Sequence, residues 1–121
     1  MKFTRELSTS ITIRNVAAGE IHIGDEIYRK TIALTTAEII DDWQAKPISE
    51  LAPEDFMLLL EFGPELIVLG TGERNIFAPK QVTFALARQG IGLEVMDTAA
   101  AARTFNVLAG EGRRVAALLY L

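Results

Sequence analysis

The sequence predicts a three-layer α/β fold: a mixed central sheet flanked by helices, with an added N-terminal β-hairpin or meander. Three observations carry this expectation. Leu66 to Leu69 is an apolar run of strand length that stops at Gly70-Thr71-Gly72, and a strand without polar alternation is one buried on both faces, inside a sheet covered by helices. After it, helix-like and strand-like segments alternate to the last residue, as they do in layered α/β domains. Before it, Ile11 and Ile13 alternate with Thr12 and Arg14, and Ile21 and Ile23 with Glu20 and His22, the period-two pattern of half-buried antiparallel strands.

The elements follow in order. Residues 1–10 read as a loosely ordered start, and residues 11–34 as a meander whose turns fall at Ala18-Gly19 and Gly24-Asp25, with 27–34 as its longest strand. Thr35 followed by Glu38 matches a capping box, which predicts a short helix to about Trp43. Lys46-Pro47 and Ser49 mark an irregular connection. Pro53 then opens a helix with Glu54 and Asp55 at its positive end, Phe56, Leu59 and Leu60 on one face, and Gly63-Pro64 as its stop. Beyond the organising strand, Pro79 opens a second helix with Val82, Ala85 and Leu86 turned inward, and Gly90 closes it. Leu93 to Met96 is a strand. Thr98 caps an alanine-rich helix that carries Phe105 and Leu108 and ends at Gly110, and Val115 to Leu121 is the final strand.

Composition narrows the function. A chain of 121 residues fits one domain spanning 1–121, and 50% hydrophobic against 23% charged residues is the profile of a packed chain, not a disordered one. A net charge of -4 repels a phosphate backbone; only Arg113-Arg114 pairs basic residues after the first third, so nucleic acid is not an expected partner. The absence of cysteine excludes disulfides and thiolate chemistry. The first ten residues have no signal-peptide core, and no apolar run approaches the roughly 20 residues of a membrane span. A cytoplasmic protein with no metal or cofactor is the expectation.

Candidate sites are few. Gly70-Thr71-Gly72 follows a buried strand, where open α/β sheets place ligands, but position 75 is Asn75 where a dinucleotide fingerprint needs a third glycine. Both glycines serve equally well in a sharp turn. Asp97-Thr98 ends the next strand; if the two strands are parallel neighbours, Thr71, Thr98 and the free amides of the following helix share one crevice able to hold an anion. Thr98 as a plain helix cap is the simpler reading. Arg103 and Asn106 share a helix face, with Glu111 and Arg113 just beyond; they can bind a partner's carboxylate or backbone, or Arg103 can pair with Glu111 to fix the loop. His22 has no evident carboxylate or nucleophile beside it, and adjacent acids such as Glu54-Asp55 diverge on a helix. Trp43 and Phe77 read as core aromatics before partner anchors.

The motifs L-G-T-G at 69–72, V-M-D-T-A-A-A-A-R-T-F-N-V-L at 95–108 and E-G-R-R-V-A-A-L-L at 111–119 resemble one small family of unknown function. It is shared by bacterial and archaeal single-domain proteins, the adipogenesis-associated protein of animals and assembly factor three of mitochondrial complex I. The resemblance runs from about Ile11 to the end. It implies the three-layer fold, no established enzymatic activity, and assembly or protein interaction as the role. Gly70, Thr71, Gly72, Asp97, Thr98, Arg103, Asn106, Glu111 and Arg113 are the matching positions, identified without assigned chemistry. With no targeting pattern at its start, the chain is expected to be a free-standing bacterial-type protein.

Three functions therefore compete. The leading one is a non-catalytic interaction module or assembly factor with a protein partner. The second is a small-molecule or anion-binding domain, or an unrecognised enzyme, using the crevice after the 66–69 strand with Arg103 as the cation. The third is a homo-oligomer built on the alanine-rich helix or the N-terminal strands.

Overall fold

The computed structural model describes residues 11–121; the start expected to be loosely ordered lies outside the described residues. The alternating isoleucines build a small antiparallel sheet of β1 (Ile13–Ala17), β2 (Glu20–Ile23) and β3 (Glu26–Tyr28), in the order β1-β2-β3. Its turns use Gly19 and Gly24, both in the left-handed region that glycine enters without steric cost. Ile13, Ile21 and Ile23 turn one face inward.

The second sheet has five strands: β4 (Ile32–Thr35), β5 (Ile39–Ile40), β6 (Leu66–Thr71), β7 (Gly92–Met96) and β8 (Val115–Tyr120). Their order is β5-β4-β8-β6-β7, with β6 parallel to both neighbours and β4 antiparallel to β5 and β8. All six residues of β6 are buried, as its unbroken apolar run requires. Leu66 and Val68 enter one core with Phe105; Ile67 and Leu69 enter the other with Phe56.

Three helices cover the two faces: α1 (Met57–Leu60), α2 (Lys80–Arg88) and α3 (Thr98–Gly110). The strand order explains their placement. The path from β6 to β7 moves one way along the sheet, and the path from β7 to β8 returns past β6 the other way. Crossovers of one hand in opposite directions occupy opposite faces. Val82 and Leu86 of α2 accordingly lie in the core of one face, Ala101, Ala102 and Phe105 of α3 in that of the other. The small sheet closes over the outer side of α3, adding Ile13, Ile21 and Ile23 to the same core. The mixed sheet with helices on both faces and an N-terminal meander is the predicted class.

Three local expectations are corrected. The 27–34 strand is two strands in different sheets: β3 stops at Tyr28, the chain crosses over at Arg29-Lys30-Thr31, and β4 starts at Ile32. The helix from Thr35 is a hairpin turn. The Thr35 hydroxyl accepts from the Ala37 and Glu38 amides at 3.0 and 3.2 Å, as a cap would. Yet the Thr35 amide donates to the Glu38 carbonyl and Ile39-Ile40 pairs back onto Leu34 and Ala33. A hydroxyl that binds amides two and three residues on supports a turn as readily as a helix start, and two β-branched residues favour the strand. The helix from Pro53 begins as a tighter 3-10 turn over Pro53–Phe56, with the Asp55 carboxylate accepting from the Ala52 amide at 2.8 Å. α3 does end at Gly110, and the left-handed residue that turns the chain is Gly112 two residues on, whose amide donates to Ala109 while the Arg113 amide donates to Leu108.

Asn106 ties the two sheets together through α3. Its Oδ1 accepts from the Ile13 amide at 2.9 Å and its Nδ2 donates to the Ile13 carbonyl at 2.8 Å. Asn106→Ala leaves both backbone groups without those partners, and the expected cost is about 2 kcal/mol. Urea unfolding measures that loss, and hydrogen exchange at Ile13 rises selectively because the small sheet detaches first.

Candidate functional site

The carboxyl ends of β6 and β8 meet the first turn of α3, and of the glycines among the described residues Gly70 at this junction is the most tightly packed. A Cβ on Gly70 would lie 2.9 Å from Thr98 Cα and 3.1 Å from Ala101 Cβ. Gly70 is therefore demanded by space. Gly72 is demanded by conformation, with φ at +97°. Thr98, 2% exposed, sits at the junction: its hydroxyl accepts from the Gly72 amide at 2.8 Å and donates to the Tyr120 carbonyl at 2.5 Å. Its own amide donates to Gly72 O at 2.9 Å. Thr98 thus clamps α3 to the ends of two strands and is not the helix cap. Asp97 is the cap, its Oδ1 accepting from the Ala100 amide at 2.9 Å. Thr71 is spent in the same way, donating to the Arg74 carbonyl at 2.5 Å and accepting from the Ile76 amide at 3.2 Å. It shapes the loop that leaves β6.

Above this junction lies a cleft of about 570 Å³. One wall is the β1–β2 turn at Ala17–Gly19, another the loop Gly72–Arg74, and its floor includes Thr98, Ala99 and Tyr120. The crossovers to β7 and β8 part at this point, which is where open α/β sheets receive ligands. The crevice is open, and Phe77, which could have filled it, is 94% exposed elsewhere. Its charged residues are Glu73, Arg74 and Asp97, two acids and one base. With the two threonine hydroxyls bonded internally and a carboxylate already at the positive end of α3, the lining does not match the free anion expected from sequence. Arg103, expected as the cation there, does not line the cleft; Arg74 does.

The nine predicted residues separate along α3, a helix about 20 Å long at 1.5 Å per residue. Gly70, Thr71, Gly72, Asp97 and Thr98 gather at its start. Asn106 holds β1, and Glu111 and Arg113 lie beyond its end. Arg103 is exposed between them. The expected Arg103–Glu111 pair does not form among the described residues. Arg113 instead donates to Glu65 Oε1 at 3.1 Å, and Glu65 Oε2 accepts from the Arg114 amide at 3.3 Å. The Arg114 amide first, and Arg113 second, hold the Glu65 carboxyl below the usual range. Arg114 also stacks 4.0 Å over the Phe62 ring, so the basic pair closes the amino end of the sheet.

Other expectations resolve locally. His22 does have a carboxylate beside it, Glu20 Oε1 at 2.9 Å, because residues two apart on a strand share a face. That hydrogen bond, then the charge of Arg29, lowers the Glu20 carboxyl. Trp43 packs edge-on to Tyr120, with centroids 6.2 Å apart, and donates to the Asp55 carbonyl at 2.8 Å. Phe77, of these two, does not join the core. Sequence reasoning missed Arg74, Tyr120 and the Ala17–Gly19 wall. The position of Arg74 just past the glycines was a usable signal; the wall depends on a contact between distant segments.

Comparison with known proteins bears on these features. A family model described as a protein of unknown function (DUF498/DUF598) matches residues 13–120. NADH dehydrogenase (ubiquinone) 1 alpha subcomplex assembly factor 3 of Homo sapiens is 39% identical over 79 residues, covering 64% of this chain and 43% of that protein. This chain therefore spans less than half the length of the human factor. A 13 kDa major membrane protein of Francisella tularensis subsp. holarctica is 27% identical over 101 residues, 82% of this chain and 80% of its own length. A Xanthomonas campestris protein solved by NMR superposes with a TM-score of 0.85 at 35% identity, covering 97% of this chain and 89% of that one. Among the described residues no helix is long and apolar enough to cross a membrane.

Two predictions follow from the junction. Gly70→Ala forces the α3 backbone away from β6, and overpacking of this kind is expected to cost about 3 kcal/mol, read as a lower urea midpoint with unchanged slope. Tyr120 donates to the Lys46 carbonyl at 2.6 Å, and burial, with the Asp55 charge adding to it, pushes its hydroxyl from 10.0 up to about 12. A group that holds its proton more tightly when folded contributes stability that is intact below pH 10 and lost between pH 10 and 12. Unfolding free energies across that window should fall, and Tyr120→Phe should remove this part of the decline.

Proposed function

This chain belongs to the DUF498/DUF598 family of proteins of unknown function, and from that membership we propose that it is a non-catalytic protein-interaction module acting as an assembly factor. In this reading it holds a protein partner, from the cytoplasmic side, while a respiratory or other membrane-associated complex is built. The observation that carries the reading is the 39% identity to a complex I assembly factor. The geometry supports it: the polar groups that could have bound a small ligand at the end of β6 are engaged in holding the fold. The surface, by contrast, carries large exposed apolar side chains, among them Phe77, Phe84 and Met57. Arg103, exposed on α3, and Glu111, exposed just past its end, with the rim from Gly72 to Asp97, are the partner-facing residues proposed from the family motif.

Affinity capture after cross-linking in the source cells, quantified by mass spectrometry, tests the reading. A single protein partner is expected, together with accumulation of an incomplete complex on native gels when the chain is deleted. Recovery of no specific partner and normal complex assembly would sink it. Arg103→Ala is expected to change stability by no more than about 0.5 kcal/mol, as exposed substitutions do, while reducing the recovered partner.

A further inference from the structure

Each sheet edge that ends in water is a row of unpaired backbone groups, and proteins blunt such edges with short strands, charges, proline or covering elements. Three of the four edges here are blunted. β5 is two residues long and β3 three. Both backbone groups of Ile13 in β1 are taken by Asn106. The fourth edge, β7, is five residues of Gly-Leu-Glu-Val-Met, with no proline or lysine and Glu94 as its one charge. No strand pairs with its outer side among the described residues.

Beside that edge is a groove of about 480 Å³ formed by Asn75, Phe77, Lys80, Thr83, Phe84 and Val95. Phe77 is 94% and Phe84 58% exposed. Lys80, Phe84 and Arg88 are spaced four apart and form one stripe along α2. Two cations and no carboxylate stand on α2, in a chain whose net charge is -4.

We propose that the outer edge of β7 and the adjoining Phe77–Phe84 groove bind an extended acidic segment of a partner protein, which adds as a sixth strand with apolar side chains in the groove. This rests on the reading of the chain as a protein-binding module and supplies its docking surface. Backbone pairing gives such an addition its affinity, and pockets for alternate side chains give its selectivity. The charges select the occupant. A second copy paired edge to edge about a two-fold axis would bring two α2 helices, with their like charges, side by side. An acidic strand meets Lys80 and Arg88 instead. A lipid surface could take the two phenylalanines, but it leaves the β7 amides and carbonyls unpaired.

The probe is a displayed library of random peptides about ten residues long, the length of an added strand with its flanks. It is selected on the intact chain and counter-selected on the Phe77→Ser/Phe84→Ser double variant, whose changes are on the surface. Enriched peptides should alternate apolar and acidic residues. Their amide shift changes should be confined to β7, α2 and the Asn75–Phe77 loop that lines the groove, and binding should weaken about tenfold or more in the double variant, as for lost aromatic anchors. N-methylation of alternate peptide amides should abolish binding, which a purely side-chain contact would survive. No enrichment, shifts mapping to another face, β7 protection through dimerisation in light scattering, or adsorption to anionic vesicles that competes with the peptides would each overturn the proposal. If the double variant still captures the cellular partner, the docking surface is wrong while the assembly-factor reading stands; loss of every specific partner from the unaltered chain is the separate failure of that reading.

Discussion

The fold depends on the close approach of α3 to β6 at Gly70. A side chain there would meet the Thr98 backbone at 2.9 Å, so helix and strand can touch only because one lacks a Cβ and the other offers alanines. The contact in turn places the Thr98 hydroxyl where it joins Gly72, just past the end of β6, to Tyr120, the last residue of β8. One buried threonine thereby satisfies backbone groups at the ends of two strands while anchoring α3 to both. Part of the alanine-rich sequence of α3 has the same origin: Ala101 and Ala102 are buried in the core beneath the helix.

The opposite end of the sheet is closed by different chemistry. Glu65 gathers the Arg113 guanidinium and the Arg114 amide, and Arg114 covers Phe62. These are exposed charge-assisted bonds that salt weakens, whereas the Thr98 junction is neutral and buried. Asn106 lies nearer this end and fastens the small sheet, so that α3 is gripped on both sides along its length. A helix held in this way is a rigid platform, and its exposed residues, Arg103 among them, keep fixed positions relative to the sheet.

Rigidity of the interior and openness of the surface suit the proposed role of holding a partner. The polar side chains that look catalytic or ligand-binding on paper, Thr71, Thr98, Asp97 and Asn106, all have their bonds inside the fold. What remains for the proposed recognition is the less conspicuous part of the chain: the exposed Arg103 and Glu111, the loop after β6, the exposed stripe of α2 and the edge of β7. Phe77 reads as core in sequence because aromatic residues usually are. The structure leaves it exposed on the loop between β6 and α2, beside Phe84.

Local patterns determined the middle and end of the chain. The unbroken run of β6, the periodicity of α2 and α3 and the apolar β8 were legible because each depends on which faces are buried, and burial leaves its mark on every residue. The motif from Gly70 to Gly72 with Asp97-Thr98 was legible as a place. Its meaning was not, since a threonine before a helix looks the same whether it caps that helix or clamps two strands, and only the position of Tyr120 decides. The same limit applies to Thr35 and to the division of 27–34 between two sheets. In each case the short-range signal was compatible with two structures of similar local energy, and contacts between residues far apart in the chain selected one.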